Sequence, residues 1–425
     1  MAEKKRDEDG IRQTWAWWVQ SHETVLTQVR NTEWPARPLD VETLAGRLAG
    51  DEFHSRINAP GTRDGMTPKG WFEALIEMAM AAMTADLGEN GTSWQRLWAF
   101  CCGLADKDVA EQLATEADKF DGLGVAPDPT VPLSWYQPAQ DGDVLVARDA
   151  YGDRFLLAAP FSDLARPAAA DHWYAWDIDS CGIEMVVAGG AHDSADSALA
   201  EWRQAVGPAA AASGFSPCPP QLGVRLLDPA HNNPIQLECV DGEEPAEFFR
   251  EILRLSRRAA DLSSYFTRRL HQEPARASAE ERDAAINDFL DQHAARHRRG
   301  SGPGSGPGYD LLATEHALDL LLNEWGPDVP PDEQAFFACS PHRIEACTDL
   351  MRDSYEPEAV NEALLLLPDW VQWCARRIGL DDEFTQRAVA AARAELPVPA
   401  RGDQEGWQRE YYVAREREAP FRRQE

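Results

Sequence analysis

Between Ile11 and Val29 the apolar residues recur three, four and seven apart, at Ile11, Trp15, Trp18, Val25 and Val29 with Leu26 beside them. That spacing lays a broad apolar stripe along one helix face, and Asn31 and Pro35 close the helix. Asp40 can cap a second helix that buries Val41, Leu44, Leu48 and Phe53. Thr67-Pro68 is a start signal, a cap residue followed by proline at the first helical position. The helix it opens carries Trp71, Leu75, Ala79 and Met83 on one side. Ser93 begins a shorter helix with Trp94, Leu97, Trp98 and Cys101 inward, and another is predicted near 107–119. Residues 1–121 thus read as a tryptophan-rich helical bundle.

The proline-rich stretch 122–133 marks a boundary, and beyond it the period falls from 3.6 to 2. Residues 144–148 and 154–159 read as strands joined by the turn 149–153. Residues 172–179 and 183–188 read as a second hairpin around Ser180-Cys181-Gly182, and Asp193-Ser194 precede a helix at 195–206. Residues 131–245 therefore predict a small α+β domain of two hairpins and a helix covering one sheet face, with a further strand near 235–240. Two long helices at about 245–270 and 278–298 make a helical arm, 246–299.

Residues 300–308 read GSGPGSGPG. Gly, Ser and Pro alone cannot bury apolar surface, so the segment predicts a flexible linker whose ends lie roughly 17 Å apart on average. Helices at 309–325, 342–353, 357–378 and 381–395 then form a C-terminal helical module, 309–397, with Pro368 expected to kink or split the third. A charged tail occupies 398–425. The fold class that follows is α+β, predominantly α-helical and multidomain: helical bundle, small antiparallel-sheet domain, C-terminal helical module. Within 309–395, Asn323-Glu324-Trp325, Leu367-Pro368-Asp369-Trp370 and the run Trp373 to Leu380 resemble a helical module of uncharacterised actinobacterial proteins. The resemblance implies an actinobacterial origin and carries no activity or site residue with it.

Composition narrows the function classes. The chain has 425 residues, 44% of them hydrophobic, and fifteen tryptophans, enough for several packed cores. A net charge of −31 repels DNA, RNA and anionic lipid at long range and favours basic protein partners. No apolar run reaches membrane-spanning length and no apolar stretch follows the charged start, so a cytoplasmic location is expected. Eight cysteines show no disulfide-framework spacing and are expected to be reduced. Five lysines against thirty-six arginines, with abundant alanine, match the codon bias of GC-rich bacteria.

The candidate chemistry is sparse. Asp177 and Asp179 stand two apart on a strand, so both carboxylates point to one face, with Glu184 across the turn. Three carboxylates there could hold Mg²⁺ for phosphoryl transfer or nuclease-like chemistry, although acidic residues beside a turn are ordinarily just solvated. Cys339, His342 and Cys347, with Cys374 as a fourth ligand, offer thiolates and an imidazole to zinc, although scattered cysteines are more often buried packing residues. Arg250, Arg254, Arg257, Arg258, Arg268 and Arg269 could sit on phosphates, but pairing with the protein's own acidic residues is the simpler expectation, and nucleic acid is disfavoured. His192-Asp193 precedes a helix start, where Asp193 or Ser194 should cap. No phosphate-loop, dinucleotide, zincin or nucleophile-elbow motif occurs. The sequence thus points to no catalytic, cofactor or metal site as its first reading. It points to a non-enzymatic interaction or regulatory scaffold with two tethered binding units and protein partners, with a metal-dependent enzyme as the alternative.

Overall fold

The computed structural model describes residues 18–35, 37–57, 68–87, 93–104, 113, 136–139, 142–163, 170–181, 186–232, 246–270, 279–300, 311–326 and 332–396. The expected helix at 107–119 (apart from residue 113), the strand near 235–240, the linker after Gly300, the tail and Glu184 lie outside these residues. The fold is α+β and mostly helical. The N-terminal helices are α1 (18–31), α2 (Pro38–Ile57), α3 (Pro68–Leu87) and α4 (Ser93–Leu104). Their predicted inward positions, among them Val25, Val29, Phe53, Trp71, Leu75, Met83, Trp94 and Trp98, are buried in one core.

Six strands follow: β1 (Tyr136–Pro138), β2 (Leu145–Arg148), β3 (Arg154–Asp163), β4 (His172–Asp179), β5 (Val186–His192) and β6 (Ser216–Pro217). They pair antiparallel in the order β5-β4-β3-β2-β6, and β1 pairs with the far end of the long β3. Both predicted hairpins are present, with Arg154 opposite Asp179 in the β3–β4 register. Alternation along β4 sends Tyr174, Trp176 and Ile178 to one face and Asp177 and Asp179 to the other. Helix α5 (Ala195–Val206) covers the second face with Ala198, Leu199 and Trp202. Its N-terminus is closed by a Ser194–Ser197 capping box. The proline-rich stretch after it contains a helix that periodicity left unseen, α6 (Pro220–Asn232).

Helix α7 (Ala246–Thr267) is the centrepiece of the first core. Phe249, Ile252, Leu255, Ala259 and Phe266 fill the space between the bundle and the first sheet face. A Cβ placed on Gly46 would lie 2.3 Å from the Arg250 carbonyl oxygen, and one on Gly50 2.6 Å from the Arg250 nitrogen. Two glycines four apart therefore let α2 and α7 cross backbone to backbone.

The expected arm 246–299 is divided by packing. Helix α8 (Ala279–Gly300) places Phe289 and Leu290 in a second core, with α9 (Leu311–Asn323), the short α10 (Glu333–Phe336), α11 (Pro341–Ser354), α12 (Pro357–Ile378) and α13 (Asp382–Ala394). Helix α12 runs through Pro368 as one element. Burial of Leu364, Leu367, Trp370 and Val371 on both sides of the proline outweighs the lost backbone bond, which costs about 3 kcal/mol. Among the described residues no helix is long and apolar enough to cross a membrane.

Candidate functional site

The two cores meet where the β2–β3 and β4–β5 turns touch the start of α11. Residues 149–153 form the first turn. Asp149 Oδ1 accepts the backbone N–H groups of Gly152, Asp153 and Arg154 at 2.8, 3.0 and 3.2 Å. Gly152 has φ 87°, a conformation that only glycine takes without penalty. The turn directs Asp153 at α11. There its Oδ2 accepts the Ser340 N–H at 3.0 Å and its Oδ1 lies 2.9 Å from Arg343 Nε. Arg343 Nη2 donates to the Ser180 carbonyl at 2.9 Å, so one guanidinium ties both turns to the helix. The side chains of Asp153 and Arg343 are 3% and 1% exposed. Ser340-Pro341 fixes where the helix begins, because Ser340 Oγ accepts the Arg343 N–H at 3.0 Å and proline suits the first position. At the rim Arg148 bonds to Asp332 and Gln334. The Tyr151 ring meets that of Phe384 edge-on at 5.3 Å.

Asp177 and Asp179 share a face, as their spacing predicts, but each has a different partner. Asp177 receives Arg154 at 2.8 and 2.6 Å and the Trp202 indole N–H at 2.9 Å. Asp179 Oδ1 accepts the Cys181 N–H at 2.9 Å and meets the Cys181 thiol, and Oδ2 lies 3.1 Å from His342 Nδ1. The Cys181 Sγ is itself 2.9 Å from the same Nδ1. Three donor atoms of metal-ligating type, from Asp179, Cys181 and His342, thus lie within 4.8 Å of one another. Asp179 comes from the expected carboxylate set and His342 from the expected zinc set. Cys339, Cys347 and Cys374 are buried in the second core instead, and burial pushes their thiols up. Cys181 was legible only as a turn residue. Its spacing two after Asp179 is a local hint, but the third member stands 161 residues further on.

The electrostatics follow from the contacts. Burial opposes ionisation of Asp179, but hydrogen bonds from His342 and Cys181 outweigh it and bring the carboxyl down to about 2. The bond to Asp179 in turn raises His342. Burial, then the Asp153 and Asp179 carboxylates, push the Cys181 thiol well up. Burial and the neighbouring Asp153 raise Asp149 to about 7 despite its three backbone donors. In a cysteine–histidine nucleophile, one ring nitrogen serves the thiol and the other an orienting acid. Here Cys181 and Asp179 both address Nδ1, and nothing generates a thiolate.

The arginines of α7 are engaged within the fold. Arg250 meets Asp51 at 2.6 Å, Arg254 donates to Thr43 at 2.9 Å and bonds to Glu251, and Arg257 and Arg258 converge on Glu42. Burial opposes ionisation of Glu42, but Arg257, Arg258 and Arg254 outweigh it and hold the carboxyl below its ordinary value. Arg269 lies over the Tyr265 ring. The chain matches no family model, no curated protein and no solved structure.

Proposed function

We propose that this chain is a non-enzymatic interaction or regulatory protein of the bacterial cytoplasm. Its C-terminal helices form a unit that docks on the sheet through a polar latch and serves protein partners, basic ones favoured by the charge of −31. One observation carries the reading. The helices α8–α13 have an apolar core largely distinct from that of the bundle and sheet. The contact between them combines ion pairs and hydrogen bonds around Asp153 and Arg343 with a small apolar contribution, Tyr151 of the β2–β3 turn packing in the second core and Ala335 of α10 in the first. Polar contacts between separately packed units resemble transient protein interfaces and can open, whereas broad apolar seams do not. The docked arrangement modifies the expectation of two units held apart by a spacer. The expected linker falls between α8 and α9, both of which pack in the second core, so it does not divide the two units, and regulation would act by opening the contact between the cores.

The test uses the full chain. Replacing the rim residue Arg148 with alanine should raise backbone hydrogen exchange in α11 and leave α2 and α7 protected. Cross-linking in cells should then give a different partner set from the wild type. Exchange in α11 that occurs only with global unfolding, together with an unchanged partner set, would overturn the reading.

A further inference from the structure

We propose that Asp179, Cys181 and His342 form a binding site for a zinc-class divalent cation, bridging the β4–β5 turn and the N-terminus of α11. The three groups make three mutual close contacts: Asp179 with Cys181, Asp179 with His342 at 3.1 Å, and Cys181 with His342 at 2.9 Å. A neutral thiol and a neutral imidazole with its hydrogen on Nδ1 supply only two hydrogens to this triangle. Both heteroatoms of the third contact then face each other with no hydrogen between them. A cation at the centre satisfies all three at once.

The atoms are close enough to share one ion, though packed more tightly than a loaded site. Zinc bonds of about 2.0–2.3 Å at tetrahedral angles put neighbouring ligand atoms about 3.3–3.6 Å apart. The observed 2.9 and 3.1 Å are shorter, and the Asp179–Cys181 contact is shorter again, so the three side chains would spread on taking up the ion. The donor set selects the metal class. A thiolate, an imidazole and one carboxylate suit Zn²⁺ or Co²⁺, whereas Mg²⁺ and Ca²⁺ want oxygen ligands alone.

The surroundings supply support without competing. Arg154 is held by Asp177 and Arg343 by Asp153, so neither guanidinium is hydrogen-bonded to the Asp179 carboxylate, which meets His342 instead. Cys181 and Asp179 are 3% and 7% exposed, so two ligands are anchored in the fold. The side chain of His342 is 65% exposed, so the site opens at the surface, where water can complete the coordination. Two ligands lie on the sheet and one on the C-terminal helices, and the ion would therefore bridge the junction. This is a site of different composition from both sets read in the sequence.

Co²⁺ titrated into chelator-treated full chain is the test. We expect one equivalent to bind with tetrahedral visible bands and a thiolate-to-cobalt charge-transfer band, and Zn²⁺ to displace it. Cys181→Ser should abolish the charge-transfer band. His342→Asn, at an exposed position that folding tolerates, should weaken binding by about 100-fold with an unchanged circular dichroism spectrum. Cys339→Ala should leave the spectrum unaltered. No cobalt spectrum in the wild type, or one that survives both Cys181→Ser and His342→Asn, would overturn the proposal and leave the triad as a hydrogen-bonded contact only. Loss of the spectrum in Cys339→Ala would overturn it too, by placing the ion elsewhere.

Discussion

Arg343→Met should separate the two ways in which the docked unit can be held. The guanidinium and Asp153 approach to 2.9 Å, almost completely shielded from water. At an effective dielectric of about 20, their attraction is about 6 kcal/mol. Removing two ions from water offsets most of it, so the intact pair contributes little beyond an apolar pair of the same shape. Breaking it is different. Burial holds the Asp153 carboxyl above its ordinary value even beside Arg343, so with methionine at 343 it can take up a proton, and the cost of a broken buried pair, about 3–5 kcal/mol, is an upper bound. That figure is also a ceiling, because the C-terminal helices can lift away and let water reach the carboxylate. If docking is worth less than the penalty, the measured loss stops at the docking free energy.

The assay is a double-mutant cycle of Arg343→Met and Asp153→Asn by urea unfolding, with hydrogen exchange of α11 in parallel. We expect each single change to cost up to about 3–5 kcal/mol, and the double change to cost about 2–3 kcal/mol less than their sum. Exchange in α11 should rise most in Arg343→Met. Additivity to within about 0.5 kcal/mol would refute the idea that this pair joins the units.

The crossing of α2 and α7 gives a second expectation. Gly50→Ala pushes a methyl carbon against the Arg250 nitrogen and the Phe249 carbonyl, backbone atoms that cannot turn aside. It should destabilise by about 2–3 kcal/mol in thermal denaturation, whereas Gly214→Ala, with open space around it, should not; equal midpoints for the two would refute the close packing. A third concerns acid. His22 is 1% exposed, with Nε2 3.1 Å from the Trp71 carbonyl, and burial lowers it from 6.5 to about 4. Between those values the unfolded chain binds a proton that the folded chain refuses, so stability must fall as pH drops through that window, by about 3 kcal/mol from this residue. His172, lowered to about 3 by burial and Arg258, acts in the same direction. His22→Gln should make the decline between pH 7 and 4 shallower, as read by urea midpoints across pH. An unchanged slope would mean that His22 does not enter the fold neutral.

Local physics made much of this molecule readable from its residues. Ser194 before a 3.6-period run and alternation on either side of residues 149–153 are signals complete within a dozen positions, and the elements stand where those signals place them. The shared face of Asp177 and Asp179 was equally determined, since a strand repeats every two residues. Helix α6 was not, because prolines at 219, 220 and 229 hid the helical spacing of Leu222, Leu226 and Leu227, which pack into the first core. What the carboxylates would meet was beyond any window. Trp202 and Arg154 occupy Asp177, and His342 reaches Cys181, and Asp179 two positions before it, from 161 residues beyond Cys181. The separation of the two apolar cores, the junction between them built around Asp153, Arg343 and Tyr151, and the meeting of acid, thiol and imidazole were therefore decided by tertiary structure. Secondary structure is written in short-range periodicity and caps, while a site is made by side chains that only the folded chain brings within bonding distance.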